Sequence, residues 1–153
     1  MKVITGDLLT AKGIIVHGCN CQGVMGSGVA KQIRAKWPVV YDEYKAREYV
    51  LGLFLGNTQI IPVESGVWVV NAMTQECYGK DGLLYVDYDA VREAFRRIKP
   101  WAIIHNVPVN FPLIGCGLAG GEWSVVAPII EEELGPGVEK ILWLPQGENF
   151  AGN

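Results

Sequence analysis

The sequence predicts an α/β fold, three layers α/β/α around a central mixed sheet, and three observations carry that reading. Short β-branched apolar runs alternate along the chain with segments of helical period, so strands and helices take turns. The runs are continuously apolar, as strands covered on both faces are. Glycine-rich turns stand at several of the run ends, where open α/β sheets place their loops.

Taken in order, Val3 to Ile4 and Ile14 to Val16 are the first two strand-like runs. Val29 and Ile33 then share one helical face. Pro38 is expected to end or break that helix, because the residue before a proline disfavours the α region, and a second helix is expected over about Tyr41 to Val50. Ile60 to Val63 and Val67 to Val70 are two more strands. Asn71 to Gln75, continuing to Tyr78 and Gly79, is expected as a loop beside the ligand cleft, where Gln75 and Tyr78 are either substrate contacts or ordinary polar loop residues.

Val91, Ala94, Phe95 and Ile98 repeat with helical period. The stretch from Pro100 to Pro112 reads two ways: Trp101 to His105 suits a strand or a helix tail, whereas Val107, Val109 and Phe111 alternate and make the later segment the preferred strand. Trp123, Val126, Ile130 and Leu134 mark a further helix, and Ile141 to Leu144 the last strand. The polar tail, 146–153, is expected to be mobile.

The 153 residues are read as one domain, 1–153, long enough to bury a core without disulfides or a structural metal. No apolar run approaches the ~20 residues of a membrane span. The N-terminus has no apolar segment with a small-residue cleavage site, so a cytoplasmic, monomeric protein without a membrane partner is expected. Four cysteines are expected as free thiols. His17-x-Cys19-x-Cys21 hints at zinc, but no paired ligands stand at suitable spacing elsewhere, so neither a metal nor a cofactor is expected. A formal net charge of -3 argues against a broad grip on nucleic-acid backbones.

The densest functional signal is Val16 to Ala30, VHGCNCQGVMGSGVA, where a strand opens into glycines and then a helix. Glycines let a backbone approach a ligand closely and take positive φ, and free amides at a helix start favour phosphates. Gly26-x-Gly28-x-x-Lys31 imitates a dinucleotide fingerprint, but lysine replaces the third glycine that packs helix on strand. A second glycine loop, Gly115 to Gly121, also lies between a strand-like run and an amphipathic helix, so the two loops are placed to face each other across one pyrophosphate.

These segments together resemble the macro-domain family: Gly6-Asp7 after the first strand, His17-Gly18-Cys19-Asn20 before the first glycine loop, and Ile114-Gly115-Cys116-Gly117 in the second. The resemblance spans nearly the whole chain and is nearest to the branch holding ADP-ribose 1''-phosphate phosphatases and ADP-ribosyl-glutamate hydrolases. It implies that Asp7 accepts from the adenine amino group, that Asn20 holds the distal ribose, and that Gly26, Ser27, Gly28 and Val29 with Gly115, Cys116 and Gly117 offer amides to the diphosphate. Asp7 also suits a plain turn or N-cap. Trp143 falls where related domains set an aromatic ring near adenine, or is a core residue.

His17 stands where many macro domains have asparagine, and a histidine there resembles the phosphatase branch; it is either a base that directs water or a satisfied structural residue. The resemblance implies a phosphatase acting on ADP-ribose 1''-phosphate, with catalytic roles for His17 and Asn20. The alternatives are a non-catalytic reader of ADP-ribose, free or on a macromolecule, and a hydrolase of ADP-ribose conjugates. Conjugate hydrolases of this branch carry a lysine after the strand where this chain has Met73-Thr74, and the glutamate-linked ones an aspartate where it has Ala119. Lys80 follows a few residues later, with its reach left open by sequence.

Overall fold

The computed structural model describes residues 1–147 and shows the expected α/β class. The chain runs β1 (Lys2–Thr5), a short 3-10 turn (Leu8–Thr10), β2 (Gly13–Asn20), α1 (Gly28–Lys36), α2 (Pro38–Val50), β3 (Thr58–Glu64), β4 (Val67–Gln75), α3 (Tyr88–His105), β5 (Val109–Phe111), α4 (Trp123–Leu134) and β6 (Lys140–Leu144). One six-stranded sheet has the order β1-β6-β5-β2-β4-β3. Neighbours are parallel except the antiparallel pair β3–β4, so the sheet is mixed.

Two cores sit on the two faces. On one, Ile33 of α1, Val40 and Tyr44 of α2 and Trp37 between the two helices pack on Ile15, Val69 and Met73. On the other, Phe95, Ile98, Val126 and Ile130 from α3 and α4 pack on Ile14, Val16, Val70 and Phe111. Alternate β2 residues therefore serve opposite layers, which explains the continuous apolar run Ile14 to Val16.

The helices that follow β2 and β5 lie on opposite faces of the sheet. Where neighbouring parallel strands do that, their C-terminal ends open into a crevice. The β2/β5 boundary is such a switch point, and both glycine loops leave from it.

Several boundaries differ from the sequence expectation. Pro38 begins α2 as its first helical residue instead of lying between helices, since a fixed φ and a missing N–H are harmless at that position. Helix α3 continues through Pro100 to His105, so Trp101 to His105 is helix tail. Its end is fixed by aromatic stacking, with the His105 ring 4.9 Å from Trp68 and 4.6 Å from Trp101, and by Asn106 in the left-handed region at φ 51°. The preferred later strand is present over Val109–Phe111.

Asn71 to Gln75, expected as loop, is the end of β4. It is held on both sides, by His17↔Asn71 and Gly18↔Ala72 to β2 and by Gln59↔Asn71 to β3. The expected mobile tail falls on residues of which only 146 and 147 are described. Among the described residues no helix is long and apolar enough to cross a membrane, and Cys19, Cys21, Cys77 and Cys116 are free.

Candidate functional site

A cleft of about 680 Å³ lies across the C-terminal ends of the parallel strands. It begins at Trp143 and Pro145 after β6, crosses the Pro112 to Ala119 loop after β5 and the His17 to Ala30 segment after β2, and ends at Gln75, Tyr78, Gly79 and Lys80 after β4. Three strand spacings of ~4.8 Å separate β6 from β4, so the cleft is about 14 Å long along the sheet.

At one end, the Trp143 indole is fixed by its Nε1, which donates to Asn110 Oδ1 at 2.8 Å. Gly6 lies beside that ring, whose nearest carbon would be 3.5 Å from a Cβ built on Gly6. The next residue, Asp7, is exposed and caps the 3-10 turn, accepting from the Leu9 amide at 2.9 Å. It stands beyond the cleft wall rather than among the lining residues. Both readings of Asp7 survive, because the cap uses one carboxylate oxygen and leaves the other to solvent.

The middle of the cleft is backbone. Gly26, Ser27, Gly28 and Val29 line it, with Gly28 in the left-handed region at φ 60° and nothing within 4 Å of an added Cβ. Ser27 is the N-cap of α1 without a side-chain cap bond, so the amides of the first turn point into open space. The first amide–carbonyl contact is long, Lys31 N to Ser27 O at 3.4 Å. Positive partial charge at that helix start favours an anion.

Across from it, Gly115, at φ 74°, packs so closely on Val86 that a Cβ would come within 2.5 Å of a Val86 methyl. Gly117 is open. The Cys116 amide turns inward to Leu113 O at 3.1 Å, so this loop presents fewer free amides than its glycines suggest. The Cys116 thiol donates to Ile114 O at 3.3 Å, and burial pushes its pKa up to about 11.

Asn20 and His17 form the floor, and both are committed to internal bonds. The Asn20 side chain is 8% exposed. Its Oδ1 accepts from the amides of Gln22 (3.0 Å) and Val24 (3.3 Å), while Nδ2 donates to Val24 O at 2.9 Å; the Tyr44 hydroxyl, 3.0 Å from Oδ1, shares its one proton between that oxygen and the Asn20 carbonyl. One side chain thus closes the first glycine loop; Nδ2 keeps its second hydrogen.

His17 is 1% exposed. Its Nε2 lies 2.6 Å from Asn71 Oδ1, and Asn71 Nδ2 donates to Val40 O and Gln59 Oε1, both at 3.2 Å. Because that amide oxygen can only accept, His17 carries its proton on Nε2. Burial lowers the His17 pKa to about 4 against the opposing bond to Asn71, so the ring is neutral near pH 7. Cys19 Sγ sits 3.6 Å from Nε2, and burial pushes its thiol well up.

At the far end, Gln75 pairs with Asn20 across β2 and β4, and its Nε2 donates to Cys77 O at 2.8 Å. Lys80 is among the residues that line the cleft. In the sequence, nothing joins Gln75 and Lys80 to Asn20. The missing signal was the β2–β4 register, which polar residues in β4 concealed.

The comparisons agree with this architecture. An ADP-ribose 1''-phosphate phosphatase from Candida albicans is 22% identical over 144 residues, 86% of this chain and 92% of that protein. A DNA ADP-ribosyl glycohydrolase from Mycobacterium tuberculosis is 27% identical over 156 residues, and the match covers 96% of this chain but 43% of that protein. The structure of a macrodomain protein from Streptomyces coelicolor superposes with a TM-score of 0.79 at 29% identity, over 94% of this chain and 97% of that one. The macro domain model itself matches residues 16–130, from the floor of the cleft through both glycine loops, and the chain therefore belongs to the macro domain family.

Proposed function

We propose that the chain binds ADP-ribose 1''-phosphate along the cleft and hydrolyses its terminal phosphate. The observation that carries this reading is the order of chemistry along the strand ends: an aromatic ring at β6, backbone amides at the β5/β2 switch point, and polar side chains at β4. Adenine against Trp143, diphosphate on the two glycine loops and distal ribose over Asn20 match that order. The Candida relative's name supports the terminal phosphate as the group removed.

The described lining contains no aspartate or glutamate. A reaction needing a carboxylate pair, as glycoside cleavage commonly does, has no such pair here. Phosphoryl transfer needs less: its loose transition state is served by positioning and by charge stabilisation. Water adds to phosphorus, the bond from phosphorus to the ribose C1'' oxygen breaks, and the oxygen takes up a proton, giving ADP-ribose and inorganic phosphate. Gln75 is the residue suited to orient that water, since its amide is held through Nε2 and its Oε1 remains to accept. His17, neutral and tied to Asn71, supports the floor from beneath as a positioning residue.

The second reading, a non-catalytic reader, is favoured by one observation: the side chains of both His17 and Asn20 are taken up by internal bonds. Release of inorganic phosphate from ADP-ribose 1''-phosphate under substrate excess separates the two. Repeated turnovers are expected, with Gln75→Leu slowing kcat by about 10-fold or more at little change in ADP-ribose affinity. Failure of the parent chain to release phosphate would leave the reader.

The diphosphate position has its own test. Gly28→Val puts a branched side chain at positive φ into open cleft space, where no protein atom is displaced. Calorimetry is expected to show ADP-ribose affinity reduced by about 10-fold or more, while the β-branched residue at positive φ costs about 1–3 kcal/mol of stability and lowers the thermal midpoint without unfolding the chain. Unchanged affinity in that folded variant would remove the first loop from the ligand site.

A further inference from the structure

Lys80 is the one formally charged side chain among the described residues lining the cleft. It lies at the β4 end, opposite Trp143, where the proposed function puts the distal ribose. Among the described residues it makes no ion pair. The adjacent carboxylate is turned elsewhere: Asp81 accepts from Tyr85 Oη at 2.9 and 2.8 Å and from the Leu83 amide at 3.2 Å. The Tyr85 hydroxyl bond holds the Asp81 carboxyl below its ordinary range, so that charge is both present and occupied.

The turn carrying Lys80 is also braced. Gly79 lies against the Tyr85 ring so closely that a Cβ there would overlap the Tyr85 hydroxyl. The Tyr85 and Val86 amides both donate to Ala119 O, at 2.7 and 3.1 Å. Gly120 in turn abuts the Leu83 carbonyl. The turn that carries Lys80 and the second glycine loop are therefore braced against each other, which fixes the Lys80 backbone relative to the amides across the cleft while its exposed side chain is free to swing to a ligand.

We infer that Lys80 reads the phosphate on the distal ribose and sets the preference for the phosphorylated ligand over ADP-ribose itself. The inference rests on the proposed placement of the ligand but not on turnover. An ammonium facing a dianionic phosphate in a cleft otherwise free of charged side chains gains from a charge-assisted bond that ADP-ribose does not offer. Asp81, diverted to Tyr85, is kept from cancelling it.

The test is competition against a fluorescent ADP-ribose, read by rapid mixing before turnover, for parent, Lys80→Met and Lys80→Arg. The parent is expected to prefer ADP-ribose 1''-phosphate over ADP-ribose by about 10-fold, ~1.4 kcal/mol. Lys80→Met should lose that preference with ADP-ribose affinity within about two-fold of the parent, and Lys80→Arg should retain most of it. Equal weakening of both ligands in Lys80→Met, or no preference in the parent, would overturn the inference. A parent that shows the Lys80-dependent preference yet releases no phosphate would uphold the inference and refute the phosphatase reading. Phosphate release with the same KM in Lys80→Met would do the reverse.

Discussion

Asn20→Ala is expected to lower ADP-ribose affinity by about 100-fold or more and to destabilise the fold by about 2–4 kcal/mol. The size follows from how much this one side chain does. It satisfies the amides of Gln22 and Val24 and the carbonyl of Val24, beside Tyr44 Oη, whose proton goes to Asn20 O at 2.5 Å. Deleting it leaves those groups to find water beneath the loop that forms the diphosphate seat. Asn20→Asp keeps an acceptor for the Gln22 and Val24 amides but sets a second carboxylate oxygen against the Val24 carbonyl and a negative charge beneath a diphosphate. Both stability and affinity should fall in this variant too, with affinity falling at least as far as in Asn20→Ala. Urea denaturation and calorimetry on both variants measure this, and Asn20→Ala binding ADP-ribose within about three-fold of the parent would reject the loop-organising role.

The second large effect is a pH dependence that belongs to stability. In the folded chain, burial lowers the His17 pKa from 6.5 to about 4. Between those values the unfolded chain takes up a proton that the folded chain refuses. The neutral ring is therefore fully compatible with folding above about pH 6.5, and stability is lost as pH falls toward 4, by about 3 kcal/mol from this group. His17→Gln can still donate to Asn71 Oδ1 and does not titrate. The stability advantage of the parent over His17→Gln is expected to shrink by that amount between pH 7 and pH 4, which cancels the carboxylates common to both. A constant difference across that range would show that His17 is not the group responsible. For catalysis the same pKa means that the ring remains neutral through the physiological range, so phosphate release should show no His17 inflection near pH 6.5.

What could be read in advance, and what could not, divides along the range of the interactions. The two glycine loops and the strand–helix alternation are local signals, and the structure places both loops at one switch point. The ends of β2 and β4 were not legible, because Asn71 and Thr74 look like loop residues until partners distant in sequence are known. Asn71 is compatible with a strand only because His17, Gln59 and the Val40 carbonyl satisfy it. The run of α3 through Pro100 depends likewise on Trp68, far away in the chain, stacking on His105. At the site, the motif around Asn20 drew attention to a ribose contact, whereas its bonds within the 20–24 turn became visible only with coordinates. Lys80 appeared in the sequence as a lysine of unknown reach; a turn pinned by Asp81, Tyr85 and Ala119 brings it to the cleft.

Isothermal titration of the parent chain with ADP-ribose decides whether the strand-end cleft from Trp143 to Lys80 is an ADP-ribose site. Saturable binding at one site per chain is expected without added metal, accompanied by a change in tryptophan fluorescence that is lost in Trp143→Leu. No heat and no fluorescence change at millimolar ligand would contradict it.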